Sequence, residues 1–266
     1  MIKLMEAIQS LFLGILQGLT EFLPVSSSGH LVIAQWILGF DLGEGILFEV
    51  SVHFATMFAI LIFYKNEVKA LAIGAVSANH DSLCYIGKLI IGTLPAVAVA
   101  LLAKSWIEQQ FELPGVTGLC LLVTGGIVWS TRYTIKKGIR LEPTYLEAFL
   151  IGCAQAIAIM PGISRSGSTV GVALALGLSP MAAAKFSFLL GVIAITGAGI
   201  LLLPELTTVS GLLVQNIVLG VGSALISGLI ALWLFVWLLQ KQRFHLFAWY
   251  AWAVGITTLI AVFIAK

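Results

Sequence analysis

The chain has 266 residues, 60% of them hydrophobic and only 10% charged, with a formal net charge of +2 and a mean hydropathy of +1.08. Soluble domains carry roughly 25% charged residues, so a chain this poor in charge cannot cover a water-facing surface and must use lipid as its main solvent. The small net charge excludes nucleic acid as a partner, and Cys84, Cys120 and Cys153 lack metal or disulfide spacing and read as packing residues.

A membrane-spanning helix needs about 20 consecutive apolar residues. Two shorter apolar segments, about 4–21 and 26–40, open the chain around the polar turn TEFLPVSSSGH (20–30). The first lacks a basic start and a small-residue cleavage site, so it is read as mature structure and not as a signal peptide. Longer stretches follow at about 45–64, 84–103 and 115–132. A second short pair, about 145–160 and 164–178, flanks PGISRSGST (161–169), and long stretches follow at about 182–203, 212–240 and 246–265. Proline-broken polar backbone is tolerated at membrane depth only where protein or water covers it. Each short pair is therefore expected to be a re-entrant helical hairpin, followed by three transmembrane helices.

Sliding the chain against itself reveals a repeat. Gly14, Gln17, Ser26, Ser28, Gly29, Val32, Leu38, Gly39 and Phe48 fall on Gly152, Gln155, Ser164, Ser166, Gly167, Val170, Leu176, Gly177 and Phe186 without a gap. Shared apolar bias does not produce paired Gln, Ser and Gly positions. The expected fold is an all-α polytopic membrane protein, a single membrane domain over 1–266. It divides into two inverted-topology repeats, about 1–135 and 140–266. Basic clusters at Lys65/Lys69, Arg132/Lys136/Lys137/Arg140 and Lys241/Arg243 are separated by even numbers of crossings on this scheme, as cytoplasmic loops should be. Lys88, Lys104 and Lys185 fit it less cleanly. The first hairpin then opens outward and the second towards the cytoplasm, and their turns can meet inside the bilayer.

Ionisable groups at membrane depth are costly unless paired or solvated, which makes them functional candidates. The turns supply Glu21, Ser26, Ser27, Ser28, Gly29 and His30 from the first repeat, and Ser164, Arg165, Ser166, Gly167, Ser168 and Thr169 from the second. Two Ser/Gly-rich helix starts favour an anion, and the arginine fork suits phosphate. Glu21 would weaken a cradle that only bound phosphate. It makes sense as a holder of a bridging cation, with Gln17 beside it, or as a group that orients or deprotonates a nucleophile. Histidine can act as base, acid or phosphoryl acceptor. The set points to phosphoryl transfer, where catalysis is mostly positioning and charge neutralisation. The alternatives are a structural Glu21–Arg165 ion pair, a hydrogen-bonded helix histidine at His30, and serines serving as caps and packing residues. Ser27 and His30, three apart on one helix face, suit a nucleophile and its base, with His30 or water as other attackers. Glu49 and His53 share a face of the first long span and either line a cavity or pair locally. His80 and His245 are expected in solvated loops. Glu108, Glu112, Glu142 and Glu147 read as loop or helix-end charges, and Trp129, Trp237, Trp249 and Trp252 suit interfacial anchoring.

QGLTEFLPVSSSGH (17–30), FEV (48–50) and PGISRSGST (161–169), in this order, resemble the signatures of the bacterial undecaprenyl-diphosphate phosphatases, the bacitracin-resistance family. The resemblance implies an enzyme of the bacterial plasma (inner) membrane that removes the terminal phosphate of a C55 polyprenyl diphosphate lipid. That recycles the carrier for peptidoglycan synthesis and confers bacitracin resistance. It implies inverted repeats with paired re-entrant helices, a divalent cation such as Mg²⁺ or Ca²⁺, and Glu21, Ser27, His30 and Arg165 as catalytic residues. Ser26, Ser28, Gly29, Ser164, Ser166, Gly167 and Thr169 would bind phosphate, with Glu21 and Gln17 at the metal. Some relatives carry Glu at the position of Gln17, so this chain has one carboxylate fewer than they have. A polyprenyl-phosphate transporter or flippase of the same architecture is the competing reading; it needs the anion cradle but not the acid or the histidine.

Overall fold

Backbone surrounded by lipid can satisfy its N–H and C=O groups only internally. The computed structural model, which describes residues 2–39, 45–202 and 211–265, is accordingly built of helices, with no strand among those residues. The order is α1 (Ile2–Phe22), α2 (Ser27–Leu38), α3 (Gly45–Phe63), α4 (Lys65–Val76), α5 (His80–Leu102), α6 (Lys104–Phe111) and α7 (Pro114–Ser130), then α8 (Tyr145–Ile157), α9 (Arg165–Ala175), α10 (Pro180–Leu202), α11 (Gly211–Gln240) and α12 (Phe247–Ile264). Among the described residues five helices are long and apolar enough to cross a membrane: α5, α7, α10, α11 and α12. The pair α3 and α4 supplies a sixth span if its two bent arms are counted as one. The protein is a multi-pass membrane protein.

These elements stand where the apolar pattern placed them, to within a few residues. The additions are α4 and α6. The first turns 82° away from α3, because Lys65, Glu67 and Lys69 cannot follow an apolar helix into lipid. Local chemistry sets the ends. Asn79 caps α5, and Thr144 with Glu147 forms a capping box on α8. Pro114 opens α7, and α2 stops at Gly39 in the left-handed region (φ 61°). Arg140 grips both carboxylate oxygens of Glu147 (2.8 and 2.6 Å) and the carbonyl of Leu176, pinning the start of the second hairpin to its end.

Small residues bring the helices together, as expected where lipid and side chains are equally apolar. Helix α1 packs along α11, α8 along α5, and α7 along α12, while α10 packs against α3 and α5. A Cβ placed on Gly14 of α1 would run into Gly220 and Ser223 of α11, and one on Gly152 of α8 into the backbone of Gly92 in α5. Inside, Phe22, Phe188, Phe235 and Phe244 form a continuous edge-to-face column, with ring centroids 5.6, 4.9 and 5.3 Å apart. It ties α1, α10, α11 and the turn before α12 into one core.

The α8–α5 seam gives a direct test. Gly152→Val should lower the thermal stability of the detergent-purified protein by about 1–3 kcal/mol, the usual cost of overpacking. Gly126→Ala, where an added methyl meets nothing within 4 Å, should leave the melting curve in place.

Candidate active site

Both hairpin turns are shaped by a serine cap. Ser26 Oγ accepts from Gly29 N–H at 3.3 Å at the start of α2, and Ser164 Oγ accepts from Gly167 N–H at 3.1 Å at the start of α9. Ser26 takes φ 68°, ψ 101°, a strained conformation for a residue with a Cβ, costing about 1–3 kcal/mol. The opposing turn holds it there. Ser26 Oγ also accepts from Gly162 N–H at 3.1 Å, across 136 residues of chain. A Cβ on Gly29 would sit 2.9 Å from Gly162 Cα, so the two turns abut backbone to backbone. From α7, Thr124 Oγ1 donates to Gly162 O (2.8 Å) and accepts from Ser164 N–H (2.9 Å). Ser166 Oγ closes the join by donating to Leu23 O at 3.3 Å.

Against this seam lies a buried carboxylate surrounded by donors. Glu21, with its side chain 7% exposed, receives Arg165 Nη2 on Oε1 at 2.5 Å. Its Oε2 receives Ser27 Oγ at 2.6 Å and Gln17 Nε2 at 3.0 Å. Arg165 reaches it from α9 by lying against α10 at Gly191, where any Cβ would collide with the guanidinium. Arg165 Nη1 and Gln17 Oε1 are buried without partners among the described residues. A short charge-assisted bond from hydroxyl to carboxylate is the arrangement that prepares a serine to lose its proton.

The two histidines occupy different ground. His30 Nδ1 lies 2.8 Å from Ser26 O, and its Nε2 lies 2.9 Å from the hydroxyl of Tyr250 in α12. The expected Ser27–His30 hydrogen bond is therefore not formed: one turn of helix brings the residues to one face, but the strained Ser26 carbonyl draws the imidazole back while Ser27 Oγ turns to Glu21. His53 comes the other way. Its Nε2 is 3.9 Å from Glu21 Oε2, and its Nδ1 bonds Glu49 O at 2.7 Å. Glu49 Oε1 accepts from Gln35 Nε2 at 3.0 Å. Ser28, Gln35, Glu49, His53 and Glu108 line a cavity of about 560 Å³ whose remaining wall is apolar, including Leu31, Val50, Phe54 and Ile195.

The structure thus gathers Gln17, Glu21, Ser27 and Arg165 into one contact set. Of the other hydroxyls expected at an anion, Ser28 is partly exposed to the cavity. Ser26 and Ser164 cap helices, Ser166 joins the turns, and Thr169 bonds Arg165 O (2.8 Å) and Ser187 Oγ (2.5 Å) between α9 and α10. Gly29 and Gly167 direct their N–H groups to the caps. Glu49 and His53 belong to the cavity wall, where their four-residue spacing had left them undecided. Tyr250 had no local signal, being 220 residues from its partner. His80 is exposed as expected, but it stands in the first turn of α5 and not in a loop. His245 is instead partly buried, edge-on to Trp129 with centroids 5.8 Å apart.

Fold and site together define a multi-pass α-helical membrane protein with a carboxylate, a hydroxyl and a guanidinium joined beneath two abutting helical turns. The chain belongs to the family described as Bacitracin resistance protein BacA, whose model matches residues 10–257. Among curated relatives it is similar to the undecaprenyl-diphosphatase of Desulforapulum autotrophicum, 37% identical across 98% of this chain and 100% of the relative. It is similar also to those of Carboxydothermus hydrogenoformans, 37% identical across 96% and 97%, and Methanobrevibacter smithii, 36% identical across 95% and 96%.

A buried ion pair broken on one side leaves an uncompensated charge, costing about 3–5 kcal/mol. Arg165→Met should therefore destabilise the folded protein in detergent by that order. Adding Glu21→Gln to it should return most of the loss. A double variant no more stable than Arg165→Met would show that the two side chains do not act as a pair.

Proposed function

We propose that the chain is an integral membrane phosphatase that hydrolyses undecaprenyl diphosphate to undecaprenyl phosphate and inorganic phosphate, in the plasma membrane of a bacterium. Family membership and the name shared by the relatives support the substrate. The observation that carries the chemistry is Ser27 Oγ donating to buried Glu21 at 2.6 Å, with Arg165 on the same carboxylate. In the first step Ser27 Oγ bonds to the terminal phosphorus, the bridging P–O bond breaks, and undecaprenyl phosphate leaves. The Ser27 proton passes to Glu21 Oε2. In the second step water attacks the phosphoserine, the P–Oγ bond breaks, and Glu21 returns its proton to Ser27 Oγ while the oxygen and both protons of the water leave with phosphate. Arg165, with Nη1 unpartnered, neutralises charge on the transferring group, and Ser28 binds the diphosphate from the cavity side. The apolar cavity wall accepts the first isoprene units.

The residues beside Glu21 fit a divalent cation, Mg²⁺ or Ca²⁺. Among the described residues no three His, Cys, Asp or Glu side chains are grouped to hold one alone, but Gln17 Oε1 is buried without a partner beside Glu21. Glu21 and Gln17 would hold the cation, and when bound it would offset diphosphate charge. Hard cations of this kind commonly combine few carboxylates with substrate phosphate.

We further read the fold as a single membrane domain of two inverted repeats, each a re-entrant hairpin and three crossings. The packing supports this: α1 lies on α11 as α8 lies on α5, and aligned Gly14 and Gly152 stand at the two crossings.

Four measurements test the chemistry. Ser27→Ala should reduce phosphate release from undecaprenyl diphosphate by roughly 10³-fold or more, and rapid quenching of the wild type should trap acid-stable phosphoserine. Arg165→Lys, which replaces a two-pronged donor by a point charge, should cost about 2–4 kcal/mol in the transition state, roughly 30- to 1,000-fold in rate. Chelator should abolish turnover, and full activity in its presence would remove the cation from the scheme.

A further inference from the structure

Tyr250 lies outside both motifs and takes no part in the steps above, yet it is the hydrogen-bond partner of His30 Nε2 (2.9 Å). Their rings are near-parallel at 6°, with centroids 5.6 Å apart. The direction of each bond follows from the atoms. Ser26 O is a carbonyl and can only accept, so His30 Nδ1, 2.8 Å away, carries the proton of the neutral imidazole. Nε2 is then a lone pair, and Tyr250 must donate to it. The chain of bonds runs Tyr250 O–H to His30 Nε2, then His30 Nδ1–H to Ser26 O. It ends on the carbonyl immediately before Ser27, which also accepts the His30 backbone N–H at 3.2 Å.

We propose that Tyr250 is a positioning residue of the phosphatase reaction: through His30 it holds the Ser26 carbonyl in its positive-φ turn, and so aims Ser27 Oγ at phosphorus. The inference rests on the reading of Ser27 as the attacker. It gives His30 the task of an orienting group and brings α12, near the end of the chain, into the site. An imidazole fixed at one nitrogen by a carbonyl and at the other by a hydroxyl has one tautomer and one ring orientation, as in other sites where an outer partner sets the histidine. Loss of the Tyr250 hydroxyl leaves Nε2 without a partner in a buried position, free to tilt and to release the carbonyl.

The test uses the full chain in detergent. Tyr250→Phe should fold and melt only a few degrees below the wild type, but turn over undecaprenyl diphosphate about tenfold more slowly, the usual worth of one hydrogen bond. Its KM should stay within about twofold, because the substrate contacts are unchanged. Tyr133→Phe, which removes an exposed hydroxyl elsewhere, should match the wild type. Histidine ¹⁵N NMR supplies a readout that activity cannot: the pair of signals lost in His30→Gln should show a protonated Nδ1 and a hydrogen-bonded bare Nε2, and Nε2 should move downfield in Tyr250→Phe. A wild-type His30 protonated at Nε2, an unmoved Nε2 signal, or kcat within about twofold of wild type would each overturn the proposal. If Tyr250→Phe does not fold, the wild-type tautomer alone decides the hydrogen-bond chain. A wild type that releases no phosphate would overturn the phosphatase reading, and this proposal with it, whatever the NMR shows; an active wild type with an unaffected Tyr250→Phe overturns this proposal alone.

Discussion

One ion pair organises the centre of this molecule. Glu21 and Arg165 are both largely withdrawn from solvent and lie in different halves of the chain. Either charge alone in such a place is expensive, and the pair is tolerable only with good geometry and further hydrogen bonds. That condition accounts for what surrounds it. Gln17 and Ser27 complete the carboxylate, Gly191 leaves space for the guanidinium, and the abutting turns hold the two helix starts in register. The same condition puts a hydroxyl against the acid, because one of the three side-chain donors on the carboxylate is Ser27.

The serines divide the work by burial. Those with hydroxyls committed to caps or to the joint between turns, Ser26, Ser164 and Ser166, are buried, and their bonds are made within the protein. Ser27 and Ser28 are partly exposed, and Ser28 lines the cavity. A polar turn in a membrane must satisfy its own backbone before it can offer anything to a ligand, so most of a hydroxyl-rich motif goes into building the platform and a minority into using it.

Helix positions were legible from the sequence because apolar run length is a strong signal when lipid is the solvent; all six long stretches became helices, and both Ser-rich segments became capped turns. The pairing of Glu21 with Arg165 was among the readings left open, since costly charges at depth must find each other. Side-chain direction was not legible. Spacing alone put Ser27 and His30 on one face, but it could not show that Ser26 would adopt positive φ and turn its carbonyl towards the imidazole. His53 was ambiguous because a helix face does not reveal which neighbour it meets. Tyr250 was invisible, as nothing local distinguishes it from the aromatic residues around it in a first turn rich in tryptophan and phenylalanine. Helices α4 and α6 were hidden in segments too polar for the pattern that revealed the others.

The separation of Glu21 from Arg165 along the chain has a consequence for biosynthesis. The acid is made 144 residues before its partner, and at ordinary elongation rates of about 5–20 residues per second the wait is roughly 10 s. Throughout that interval an ionised Glu21 lacks its partner Arg165, and burial in lipid is unfavourable for it. Nor can α1 dock, because its seam belongs to α11, later still. The first hairpin must therefore remain at a watery margin, or beside the insertion machinery, until the second hairpin emerges to receive it. The contact set is completed only when the second hairpin is made, and a nascent chain interrupted before it carries Gln17, Glu21 and Ser27 without Arg165.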